Sequence, residues 1–151
     1  MAEMLDRRIK MGNNIQSEIR NLCESSTICY LASVNDGGFP QIKAMLTVKH
    51  GSMKEHYFST NTSSKRVAQF LENPKACVYY CEPDGFKGAL FTGTIEVLTD
   101  HESKALLWRE GDEIYYPKGI DDEDYCVLKF IAEIVNYYHG EGNITLSIED
   151  F

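Results

Sequence analysis

Thr27 to Val34 reads TICYLASV, a run of β-branched and small residues with no breaker inside, which predicts a strand. Asn35-Asp36-Gly37-Gly38 follows it as a reversing turn, because Asn, Asp and Gly tolerate positive φ. Pro40 to Val48 then predicts a second strand pairing back on the first. Lys49-His50-Gly51-Ser52 reads as another turn, and His56 to Thr60 as a short third strand. Ser63 to Leu71 (SSKRVAQFL) sets Val67, Phe70 and Leu71 on one helical face behind hydroxyl caps and stops at Asn73-Pro74, which predicts a short helix. Ala76 to Cys81 and Ala89 to Leu98 are further β-rich runs, separated by the turn Glu82-Pro83-Asp84-Gly85. Asp100 opens a helix through Trp108, the charged loop Asp121 to Asp124 precedes a long strand from Cys126 to Tyr138, and Ile144 to Ile148 alternates as an edge strand would. Ahead of all this, Leu5, Ile9, Ile15, Ile19 and Leu22 recur at roughly helical spacing. Gly12-Asn13-Asn14 is the expected break, giving two short helices or one interrupted helix.

Sequential strands with frequent turns predict a mainly β fold with helical additions, a barrel of about six antiparallel strands rather than a parallel α/β sheet. A length of 151 residues fits one domain with a single apolar core. The expected division is one domain over 1–151, with residues 1–25 as a helical N-terminal segment and 141–151 as a tail.

Charge and cysteine content narrow the function classes. A formal net charge of −8 repels polyphosphate, and no basic run exceeds Arg7-Arg8 or Lys65-Arg66, so nucleic acid is not an expected partner. The apolar runs are too short to cross a bilayer, and Met1 to Lys10 lacks the apolar stretch of a secretory signal, so the expected location is the cytoplasm, with no membrane partner. Cys23, Cys29, Cys77, Cys81 and Cys126 form no CxxC pair and have no His at zinc-finger spacing, and reduced thiols are the economical reading. Cys77 and Cys81 share a strand face, which leaves a redox or metal role open beside that of buried small hydrophobes.

The densest set of hydrogen-bonding side chains is Phe58 to Arg66 (FSTNTSSKR), where a strand ends and a helix begins. Helix N-terminal N–H groups lack internal partners and carry partial positive charge, so hydroxyls and a Lys ammonium there suit a tetrahedral anion. The alternative is that Thr62 or Ser63 only caps the helix while Lys65-Arg66 face solvent. There is no GxxxxGK[ST] and no GxGxxG, so neither a P-loop nor a Rossmann site is indicated. Trp108 reads as packing, and His50, His56 and His101 as structural or solvated residues without partners at metal-ligand spacing; no metal site is expected.

The ordered combination of PQIKAMLTV (Pro40 to Val48), YFSTNTSSKRVAQFLENPKACVYY (Tyr57 to Tyr80), GTIEVLTD (Gly93 to Asp100), LLWREG, YYPKGIDDEDYCVLKF and NYYHG (Asn136 to Gly140) resembles the FMN-binding split-barrel proteins related to pyridoxamine 5'-phosphate oxidase. Its later half is similar to the small bacterial general stress proteins of that group. The resemblance covers about residues 15 to 140. It implies a split barrel, FMN as cofactor, and a homodimer with flavin sites at the subunit interface.

Carried over by position, the resemblance sets Lys43 near the pyrimidine side of the isoalloxazine, with Ala44, Met45 and Leu46 lending backbone and apolar contacts. Ser59, Thr60 and Asn61 with Ser64 and Lys65 hold the ribityl chain and phosphate. A basic residue is usual where Ser64 stands, so phosphate charge falls on Lys65, with Arg66 beside it. Tyr138 takes the place of a late aromatic. Two departures argue against vitamin B6 oxidation: Val48 replaces a second basic residue, and GEGNITLS replaces an Arg/His-containing segment; Gly88 stands where an amide side chain is frequent. His139 lines the flavin pocket or, as in haem-binding relatives, meets iron. The expected activity is FMN-dependent oxidation or reduction of a small organic substrate, with catalytic residues unassigned. The alternatives are a flavin-binding stress protein without turnover, or a binder of haem or a deazaflavin.

Overall fold

The computed structural model describes every residue except Val48, Gly51 and Glu141, and for residues 2–13, 49 and 50 it describes the backbone alone. The elements run α1 (Ala2–Ser25), β1 (Ile28–Val34), β2 (Pro40–Leu46), β3 (Lys49–His50), β4 (Glu55–Asn61), α2 (Lys65–Glu72), β5 (Lys75–Glu82), β6 (Lys87–Leu98), α3 (His101–Leu107), β7 (Tyr125–His139) and β8 (Gly142–Ser147). All strand pairs are antiparallel, in the order β2-β1-β5-β6-β7-β4-β3, with β8 joined to β7.

The expected mainly β split barrel is the architecture observed, with eight strands instead of about six. The difference lies at Lys49–His50, read from sequence as a turn, which pairs with Tyr57 and His56 as β3, and in β8. The Asn35 turn forms as its composition predicts: Asn35 Oδ1 accepts from the N–H groups of Gly37 and Phe39, and Gly38 takes φ +79°. The N-terminal segment is corrected, because α1 runs unbroken through Gly12-Asn13-Asn14. Their combined propensity deficit is small per residue, while Ile19, Leu22 and Cys23 anchor the helix in the core.

Period-two alternation turns Cys29, Leu31 and Ser33 of β1, Phe58 of β4, Val78 and Tyr80 of β5, and Leu128 and Phe130 of β7 inward. Val67 and Phe70 of α2 close the same core, whereas Leu71, expected on that face, is exposed. His56 is buried within it. Its Nε2 lies 2.9 Å from Met53 O and Nδ1 lies 2.7 Å from Tyr80 OH, so the neutral ring donates through Nε2 and accepts at Nδ1. A smaller cluster of Leu107, Tyr116, Tyr125 and Val127 takes Trp108 against it.

Strand β7 holds the design together. One of its edges pairs with β6 from Val127 to His139, with Glu133 skipped; the other pairs with β4 over Tyr125 to Ile131 and with β8 from Ile134 onward. The register shifts at Thr92/Gly93, where β6 follows this bend. A Cβ on Gly93 would stand 2.0 Å from Ile131 O, so only glycine fits the bulge. The two ends of the strand order, β2 on one side and β4 with β3 on the other, do not pair.

Candidate functional site at the open seam

Arg66 lies where β2 and β4 fail to pair. Its Nη1 donates to Thr60 Oγ1 of β4 at 3.1 Å and to Met45 Sδ of β2 at 3.0 Å, while Nε is buried with no hydrogen-bond partner. Desolvation holds the guanidinium below its ordinary pKa, yet it stays charged, as arginine does in proteins. A half-buried cation with a buried, unbonded donor is costly unless an anion meets it. The start of α2 stands beside it: Ser64 is the N-cap, its Oγ accepting from Val67 N–H at 3.3 Å. That leaves the earliest helical N–H groups for an outside acceptor.

The predicted residues do not all gather here. The β1–β2 register turns Lys43 and Met45 toward the Leu31 and Cys29 side, and Ala44 and Leu46 toward the outer face with Tyr30 and Ile28. Thr60 is buried at the seam; Ser59 and Asn61, one residue to either side, point to the opposite face of β4. Lys65 is exposed and lines an open groove with Asp36 and Glu72. The cation at the seam is therefore Arg66, not Lys65. The helical period carried this signal, since Arg66 precedes the buried Phe70 by four residues and Lys65 falls off that face.

Asp124 and Asp122, in the charged loop before β7, are structural parts of the site's rim. Asp124 Oδ1 accepts from Ser63 N–H at 2.8 Å, Oδ2 from Asn61 Nδ2 at 2.9 Å, and its carbonyl from Thr62 N–H at 2.9 Å. Asp122 Oδ1 in turn accepts from Asp124 N–H at 3.0 Å and Oδ2 from Lys118 N–H at 3.1 Å, while the buried Lys104 ammonium donates to Asp122 O at 3.0 Å.

Tyr138 stands on the outer face, four strands from β2 in the sheet order. Its hydroxyl shares a 2.7 Å hydrogen bond with Tyr79, and its ring covers Gly88, where an added Cβ would lie 2.6 Å from Tyr138 Cε1. An amide side chain at residue 88 would require the Tyr79 and Tyr138 rings to move. The same face exposes Ile28, Tyr30, Ile42, Leu46, Leu90 and Ile134; Ile42 and Leu46 are each 65% accessible, too open for a core role. His139 is exposed at the rim of a cavity shared with Glu18, Tyr137 and Asn143. Val48 lies outside the described residues. Among those described, no group of three His, Cys, Asp or Glu residues could hold a metal, and no helix is long and apolar enough to cross a membrane. All five cysteines are free.

Residues 15–139 match the family model described as pyridoxamine 5'-phosphate oxidase, and the chain belongs to that family. It is 45% identical, with a TM-score of 0.80, to a Clostridium acetobutylicum protein related to general stress protein 26 of Bacillus subtilis, over 89% of this chain and 95% of that one. A pyridoxamine 5'-phosphate oxidase-related, FMN-binding protein of Nostoc punctiforme shares the fold at 14% identity, with a TM-score of 0.67 over 88% and 86% of the two chains. A haem-binding protein of Mycobacterium smegmatis does so at 17% identity, with a TM-score of 0.70 over 87% of this chain and 57% of that one. No curated protein matches.

Proposed function

We propose that the chain is an FMN-dependent oxidoreductase acting on a small organic substrate other than a vitamin B6 phosphate, and that it works as a homodimer with the flavin shared between subunits. The observation that carries the reading is Arg66, a half-buried cation with a buried, unpartnered Nε beside the capped start of a helix. This donor set fits a phosphate monoester. Arg66, the first N–H groups of α2 and the Thr60 hydroxyl would hold that phosphate, and Lys43 with Met45 on the same side of β2 would meet the ring system. When bound, the flavin supplies the electron transfer; the protein binds and orients it and excludes water.

Tyr138 lies on the outer face of the sheet, whereas Lys43 and Met45 turn to the opposite side of β2, so within one protomer it does not meet the same ring. A partner copy docked through the apolar outer face would bring it near. The argument against a B6 phosphate lies in the segment Gly142–Ser147. It forms β8, with Asn143 and Thr145 accepting from Asn136 Nδ2, and it contains no cation.

Calorimetric titration with FMN and riboflavin is the direct test. FMN is expected to bind more tightly, and equal affinity would remove the phosphate site. Anaerobic mixing of the FMN complex with NADH, NADPH and pyridoxine phosphate then reads flavin bleaching. Bleaching by a nicotinamide alone supports the reading, rapid bleaching by pyridoxine phosphate overturns the substrate class, and no bleaching by any of the three favours binding without turnover.

A further inference from the structure

We infer that Asp124 is a positioning residue that preorganises the β4–α2 loop for a phosphate, an inference that rests on the FMN reading above. Residues Thr62 to Ser64 connect β4 to the helix bearing Arg66, and Ser63 and the last strand residue, Asn61, are exposed. A polar three-residue connection of this kind has little packing to fix it and loses conformational freedom when a ligand orders it. Here three donors from three successive residues, the Asn61 amide and the Thr62 and Ser63 N–H groups, converge on Asp124. The acceptor is not free to drift. Its own N–H is held by Asp122, and Asp122 is tied to Lys118 and to the buried Lys104.

The carboxylate takes donors that precede the helix and leaves those at the helix start and on Arg66. It therefore fixes the loop without filling the place an anion would take. Two of these donors, the Asn61 amide and the Ser63 N–H, meet the carboxylate oxygens and partly offset their charge on the loop side.

The experiment compares FMN and riboflavin titrations of the full chain carrying Asp124→Ala, Asp124→Asn or Asp121→Ala. Asp121 lies in the same loop, is exposed, and its carboxylate meets His101 at 2.7 Å, away from Asn61, Thr62 and Ser63, so its removal matches the charge change without touching the clamp. Asp124→Ala is expected to weaken FMN about tenfold, the scale of ordering one or two backbone residues on binding, while riboflavin affinity stays unchanged. Asp124→Asn, which keeps an acceptor for Ser63 N–H, should recover most of that loss, and Asp121→Ala should bind both ligands as the parent does.

Unchanged or tighter FMN binding by Asp124→Ala overturns the inference, the second outcome marking Asp124 as a competitor of the phosphate. A parent protein that does not distinguish FMN from riboflavin brings down the phosphate site of the proposed function, on which the inference rests. Amide hydrogen exchange on the unaltered protein gives a reading independent of variant folding. Thr62 and Ser63 should be protected before FMN is added, and exchange at the rate of an open loop would sink the clamp.

Discussion

The Arg66 guanidinium is partly buried at the seam with Nε unpartnered, whereas Lys65 beside it is exposed in a groove with Asp36 and Glu72, so removing the two cations has unequal effects. Arg66→Ala is expected to weaken FMN by about 1.5–3 kcal/mol, the range for a lost hydrogen bond to a charged group, and Lys65→Ala by less than about 1 kcal/mol, as for an exposed charge. Calorimetry on both variants checks the order; a larger loss at Lys65 would return the phosphate to the outer side of α2. Gly93 makes a prediction of a different kind. A Cβ there meets the Ile131 carbonyl oxygen at 2.0 Å, a backbone atom inside a paired strand that cannot turn aside. Gly93→Ala should cost about 2–3 kcal/mol, the upper part of the overpacking range. That corresponds to a melting midpoint roughly 5 to 10 °C lower for a chain of this size. Gly142→Ala, whose new atom meets nothing closer than 3.5 Å, is the control and should melt within a degree or two, at about the parent temperature.

At the level of elements, the loops around β4, α3 and β7 are held by carboxylates whose pKa values are all lowered. The Lys129 ammonium, then the Tyr57 hydroxyl, lowers Glu55; Ser63 and then Asn61 lower Asp124; the Asp124 and Lys118 N–H groups lower Asp122; and Ser103 lowers Asp100 at the α3 cap. A carboxyl with a depressed folded-state pKa contributes stability that is whole above its unfolded pKa of about 4 and is lost as pH falls through the lower folded value. Around Asp124 the other titratable neighbours are Asp122, Tyr116 and Cys126, and the last two stay neutral in that range. The melting midpoint should therefore hold between about pH 7 and 5 and fall below about pH 4. Asp124→Asn should flatten part of that acid limb, which circular dichroism melts at several pH values would show. These loop contacts are also where sequence reading ran short. Alternation and turn residues located nearly every strand and helix, because those signals are local. The side chain of Asp124 reaches back to Asn61 and Ser63, and nothing in a stretch of four acidic residues announces that partner. Likewise the extra strand β3 has only two residues and is defined by pairing with β4 rather than by any pattern of its own.

For the molecule as a whole, the apolar outer face and the place of Tyr138 on it, opposite to Lys43 and Met45, argue for two copies. Sedimentation at micromolar concentration should give a dimer, and Ile42→Glu combined with Ile134→Glu should shift it to monomer and lower FMN affinity together. Full FMN stoichiometry in a monomer would contradict a shared site. The pairing of β7 carries a further consequence, for the time course of folding. Asn61 pairs with Tyr125 and Glu55 with Ile131, so β4 must wait for a partner made much later in the chain. Closing such a long loop comes before any contact rewards it, and chains dominated by non-local pairing fold in milliseconds to seconds rather than microseconds. During synthesis the free edge of β4 therefore stays open until β7 has left the ribosome, and in that interval the nascent barrel is at its most vulnerable to aggregation.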